Sequence, residues 1–140
     1  MKTALLFTFI LTGSITALAC TDYSGTYQVE DETDQIIQTD CSKIEWKTLP
    51  GGTFPAADNI YILNNQPQNI GGDSMTPSID QNGNFAVAQT AGSNTYVLVY
   101  TLSTTPCPRD TADGSTYLVQ QMYFNGQDTA VACTNWKKVN

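Results

Sequence analysis

Four cysteines, at positions 20, 41, 107 and 133, are the residues of this chain best suited to covalent chemistry, and no histidine accompanies them. Zinc sites and redox motifs use C-x-x-C spacing or complete a ligand set with histidine. Neither pattern is present, so no metal site is expected and disulfide formation is the expected chemistry. Four cysteines allow three pairings, among which sequence alone does not choose. Cys20 with Cys41 and Cys107 with Cys133 is the preferred set, because each pair joins segments that the strand pattern makes neighbours. Carboxylates are the second candidates, in Glu30, Asp31, Glu32 and Asp34 and again in Asp110 and Asp113. Paired carboxylates can do acid–base work, but these lie in turn-rich segments, where solvated charge is the expected state. They also lack the spaced ligands and glycine of an EF-hand loop. Asp80-Gln81-Asn82-Gly83-Asn84 reads as a hairpin turn. Without histidine the commonest general base and the usual partner of a serine nucleophile are missing. The expectation is a non-enzymatic protein with no catalytic residue and no cofactor.

Such cysteines need an oxidising compartment, and the first residues provide a route to one. Lys2 supplies a positive start, residues 4–11 an apolar stretch, and Ala17-Leu18-Ala19 a small-x-small cleavage signal. The apolar run is broken by Thr12, Gly13, Ser14 and Thr16 and falls short of the roughly 20 residues that span a bilayer. Residues 1–19 are therefore expected to be a removed signal peptide, with residues 20–140 a single secreted or periplasmic domain without a transmembrane segment. Lipidation of the resulting N-terminal Cys20 is disfavoured: Ala17 stands where an aliphatic residue is usual, and acylation would strand one cysteine. Past the leader, Lys43, Lys47, Arg109, Lys137 and Lys138 face thirteen acidic residues. That balance disfavours nucleic acid and anionic membranes as partners.

The elements that must position these residues read as strands. Tyr23, Gly25, Tyr27 and Val29 alternate with Ser24, Thr26, Gln28 and Glu30, and Ile44 and Trp46 alternate with Lys43, Glu45 and Lys47. A short strand is expected over 60–63. Four more are expected over 85–89, 95–102, 116–124 and 129–139, rich in Val, Tyr, Thr and Phe and separated by turns such as Asn82-Gly83 and Asn125-Gly126. Segments 50–58 and 64–78 read as loops, the second with one irregular strand near Asn69 or Met75. An all-β antiparallel up-and-down (meander) barrel of about eight strands hides the sheet edges most simply, with a β-sandwich as the alternative.

Gly25-Thr26-Tyr27 resembles the Gly-x-Trp signature on the first strand of lipocalin-like (calycin-type) barrels, with tyrosine replacing tryptophan. The resemblance covers that strand and the hairpin rhythm. It implies a closed meander barrel with an internal ligand, and a late basic side chain, Lys137 or Lys138, packed over Tyr27.

Two functions are consistent with this reading. A hollow barrel would bind a small apolar or aromatic ligand against inward-facing Tyr23, Tyr27, Trp46, Ile62, Phe85, Tyr100 and Phe124. A filled barrel would instead act through its loops on an extracytoplasmic protein, for example as a hydrolase inhibitor.

Overall fold

A computed structural model describes residues 19–140, so the expected leader, apart from Ala19, lies outside the described residues. The alternating segments form ten strands: β1 (Gly25–Val29), β2 (Glu32–Asp40), β3 (Lys43–Thr48), β4 (Ala57–Ile62), β5 (Gln68–Ile70), β6 (Asp73–Ile79), β7 (Phe85–Ala91), β8 (Asn94–Ser103), β9 (Tyr117–Phe124) and β10 (Ala132–Lys138). They make one antiparallel sheet in the order β4-β3-β2-β1-β10-β9-β8-β7-β6-β5. Tyr27 of β1 stands opposite Lys138 of β10, so the first and last strands pair directly. This is the expected meander rolled into a nearly closed barrel. A single continuous sheet excludes the sandwich, which needs two stacked ones.

The strand count exceeds the expected eight because segment 64–78 is not a loop. Gly71 and Gly72, at φ 61° and 96°, make a tight turn between β5 and β6. Pro77, of a residue type that disfavours strand interiors, is buried within β6 opposite Val87. Its carbonyl accepts a hydrogen bond from the Asn65 N–H at 3.0 Å. A strand residue's carbonyl and nitrogen face the same side, and on that side β5 has already ended, so no ladder needs the N–H that proline lacks.

Closure is made by a side chain. The Ile62 N–H of β4 donates to Gln68 Oε1 of β5 at 3.0 Å, and Gln68 Nε2 donates to the Ile62 carbonyl. The glutamine amide thus stands in for the peptide group of an adjacent strand.

The two ends of the barrel differ. Cys20 is bonded to Cys41, the Thr21 N–H donates to the Gly83 carbonyl at 3.0 Å, and the Tyr23 hydroxyl donates to the Tyr100 carbonyl at 2.7 Å. The same hydroxyl accepts the Phe85 N–H at 3.0 Å. The segment before β1 therefore plugs this end. Hairpins alternate ends, so the β1–β2, β3–β4, β5–β6, β7–β8 and β9–β10 connections ring the opposite one.

Cys107 is bonded to Cys133, so the preferred pairing is the observed one for both disulfides. The second bridge joins Tyr117 and Val119 in a small apolar cluster separate from the main core. There the Cys107 N–H donates to Asn135 Oδ1 at 3.0 Å, and Lys137 Nζ lies 2.6 Å from Asp113 Oδ2. Among the described residues no helix is long and apolar enough to cross a membrane.

Candidate functional site: an acid-bearing aromatic interior

Period-2 parity directs Tyr27 of β1, Ile44 and Trp46 of β3, Phe85 and Val87 of β7, Tyr100 of β8 and Leu118 of β9 into one core, which Tyr23 joins from the plug. The rings touch one another. Phe85 stacks on Tyr100 at 4.9 Å between centroids, Trp46 meets Tyr100 edge-on at 5.3 Å and Trp136 at 6.0 Å, and Tyr23 approaches Phe85 at 6.4 Å. Five of the expected ligand residues, Tyr23, Tyr27, Trp46, Phe85 and Tyr100, are thus assembled together. Phe124 is not in that cluster; it pairs with Tyr96 at 5.3 Å, toward the loop-ringed end. Ile62 is misplaced by the sequence reading, since it is 40% exposed on the outer face. Its neighbour Tyr61 takes the inner position and meets Phe85 edge-on at 5.3 Å. The run Ile60-Tyr61-Ile62 is apolar throughout, so composition gives no parity there.

The larger correction concerns the acidic cluster. Only Glu30 and Asp31 form the exposed turn, Glu30 at φ 50°. Glu32 and Asp34 belong to β2, in phase with buried Ile36, and each is only 6% exposed. They are not solvated. Glu32 Oε1 accepts the Phe54 N–H at 2.6 Å, while Thr53 Oγ1 donates to Asp31 Oδ2 at 2.8 Å, so the β3–β4 loop is tied over the start of β2. Glu32 Oε2 and Asp34 Oδ1 are buried without a hydrogen-bond partner. Their in-phase spacing with Ile36 was the available sequence signal, outweighed by their charge.

Asp34 faces the phenols. Burial raises the Tyr100 pKa strongly and that of Tyr61 as well, and the Asp34 charge adds to both shifts. Burial also raises Tyr23 and pushes Tyr27 up to about 12. The Tyr27 hydroxyl donates to the Tyr23 carbonyl at 2.7 Å. Lys138 Nζ stands 5.7 Å from the centre of the Tyr27 ring and donates to the Ser24 carbonyl at 2.8 Å. A late lysine therefore does cover the first-strand aromatic, at the position the resemblance indicated.

Three open clefts lie elsewhere. One of about 480 Å³ borders the Cys20–Cys41 bridge with Leu63, Asn64 and Ile79 at the plugged end. Two of about 530 and 320 Å³ flank the Cys107–Cys133 bridge. Among the described residues no group of three or more His, Cys, Asp or Glu is placed to hold a metal ion. The arrangement offers hydrophobic contact, ring faces and buried carboxylate oxygens without hydrogen-bond partners. No protein-family model, no curated protein and no solved structure matches this chain.

Proposed function

We propose that this protein is an exported, non-enzymatic, lipocalin-like barrel that holds a small apolar or aromatic ligand within the strands. The observation that carries the reading is Asp34, buried on the inner face with an oxygen that has no hydrogen-bond partner. A barrel filled only for stability gains nothing from such a group, because burying an unpaired carboxylate is costly. Two disulfides suit an oxidising compartment, which supports export. Native mass spectrometry of the protein from its own exported fraction tests the reading. A small-molecule adduct released on denaturation is the expected result; bare protein that also takes up none of a panel of small aromatic compounds overturns it.

A second reading, recognition of an extracytoplasmic protein through loops, is favoured by Phe54, which is 66% exposed at the tip of the β3–β4 connection. Segment 64–78 no longer serves it, being largely strand. If that reading holds, Phe54→Ala abolishes partner capture while small-molecule uptake is nil.

A further inference from the structure

We infer that the ligand is an organic cation, an ammonium group on a small apolar or aromatic body, with Asp34 as its counter-ion. The inference rests on the internal-binding reading above and specifies its chemistry.

Among the described residues, two buried carboxylates lack an opposite charge. Glu32 and Asp34 are both more than nine-tenths buried, and each keeps one oxygen without a hydrogen-bond partner. The ion pairs among the described residues are Lys47 with Glu45 and Asp58, and Lys137 with Asp113, all on the outside. Lys138 is held by the Ser24 carbonyl and the Tyr27 ring. Among the described residues no cation comes within ion-pair distance of Glu32 or Asp34. A buried carboxylate is stabilised by an opposite charge brought to it, and here that charge must come from outside the described chain.

The surroundings select the kind of cation. Asp34 stands opposite Tyr27 in the β1–β2 ladder, and its charge also bears on Tyr61 and Tyr100, whose rings belong to the cluster with Trp46 and Phe85. Aromatic faces attract ammonium groups and accept flat apolar bodies. A bare metal ion, which prefers several oxygen ligands, has no such set here. A fatty acid or other carboxylate would meet two like charges.

Position sets the order of the two carboxylates. The end carrying the β1–β2 turn lies opposite the segment that plugs the barrel, and Glu32, first residue of β2, stands nearer that end than Asp34. Glu32 is partly satisfied by the Phe54 N–H, leaving Asp34 as the inner anchor.

The test is calorimetric titration of the full oxidised protein with three probes that share a phenylethyl body: 2-phenylethylammonium, 2-phenylethanol and 3-phenylpropanoate. The expected result is at least tenfold tighter binding of the ammonium than of the alcohol, with the carboxylate weakest. Asp34→Asn should remove that preference. Equal binding of alcohol and ammonium, or an ammonium affinity indifferent to Asp34→Asn, overturns the inference while the internal-binding reading survives. Binding of none of the three overturns both. Should Asp34→Asn fail to fold, the carbon-13 resonance of the Asp34 carboxyl in the unaltered protein decides: it must move with the ammonium and not with the alcohol, and a stationary signal refutes the assignment.

Discussion

Gly52 lies against Glu32 so closely that a Cβ at this glycine would stand 2.6 Å from the carboxyl carbon. The β3–β4 loop packs against that carboxyl with no side chain of residue 52 between them. Gly52→Ala should therefore push the end of the Glu32 side chain aside, break the Phe54 N–H bond to it and cost about 1 kcal/mol, the worth of one such bond. Urea denaturation measures it. Adding Glu32→Ala should recover part of the loss, and strict additivity of the two substitutions would refute the contact as the cause.

The glutamine clasp predicts a local effect. Gln68→Ala removes both hydrogen bonds to the Ile62 backbone. At about 1 kcal/mol for each such bond, global stability should fall by about 2 kcal/mol or less. Hydrogen exchange of the Ile62 amide should accelerate well before that of amides in β8 or β9, since the change falls on one seam. Uniform acceleration across the sheet would contradict the seam.

Alkaline pH should unfold the barrel by way of its buried phenols. Tyr23, Tyr27, Tyr61 and Tyr100 all have pKa values raised by burial, Tyr27 to about 12. A raised folded pKa means stability that is fully present below the unfolded value near 10 and is lost as pH climbs through the folded one. Phenolate absorbance from these four buried groups should appear above pH 10 together with loss of near-ultraviolet dichroism. A single smooth titration with the fold retained would count against the packing described.

Each disulfide should matter comparably. The bridges span 21 and 26 residues, and on the loop-entropy model each stabilises by roughly 3 kcal/mol. Cys107→Ser with Cys133→Ser should lower the melting temperature while leaving tryptophan fluorescence native, because that bridge lies outside the ring cluster. Cys20→Ser with Cys41→Ser should also loosen the plug, and so quicken exchange of the Phe85 amide that Tyr23 accepts.

What could be read in advance followed the strength of the alternation. Tyr23, Tyr27, Ile44 and Trp46 each stand among polar neighbours, so their burial was legible, and the hairpin turns from Asn82 onward fixed the meander. Parity failed where one kind of residue runs on: Ile60-Tyr61-Ile62 hid the inward Tyr61, and Glu30 to Asp34 hid the change from turn to strand at Glu32. Local chemistry also gave no sign of Gln68, whose role depends on an Ile62 backbone that only the rolled sheet brings beside it. Pro77 is of a residue type that disfavours strand interiors, and nothing local shows that β5 stops before reaching it.

The ring of strands is sealed by backbone pairing where the first and last strands meet, Thr26 exchanging hydrogen bonds with Val139 and Asn140, and by the Gln68 side chain alone where the chain runs on from β4 to β5. A circular permutant that joins residue 140 to residue 19 through a short linker and begins at Gln66 would therefore run from β5 through β10 and on through β1 to β4. Its order along the chain would equal its order in space. The single pairing of high sequence separation, β1 with β10, would become a local one, so the rearranged molecule should fold faster than the natural arrangement while keeping every ladder of the original.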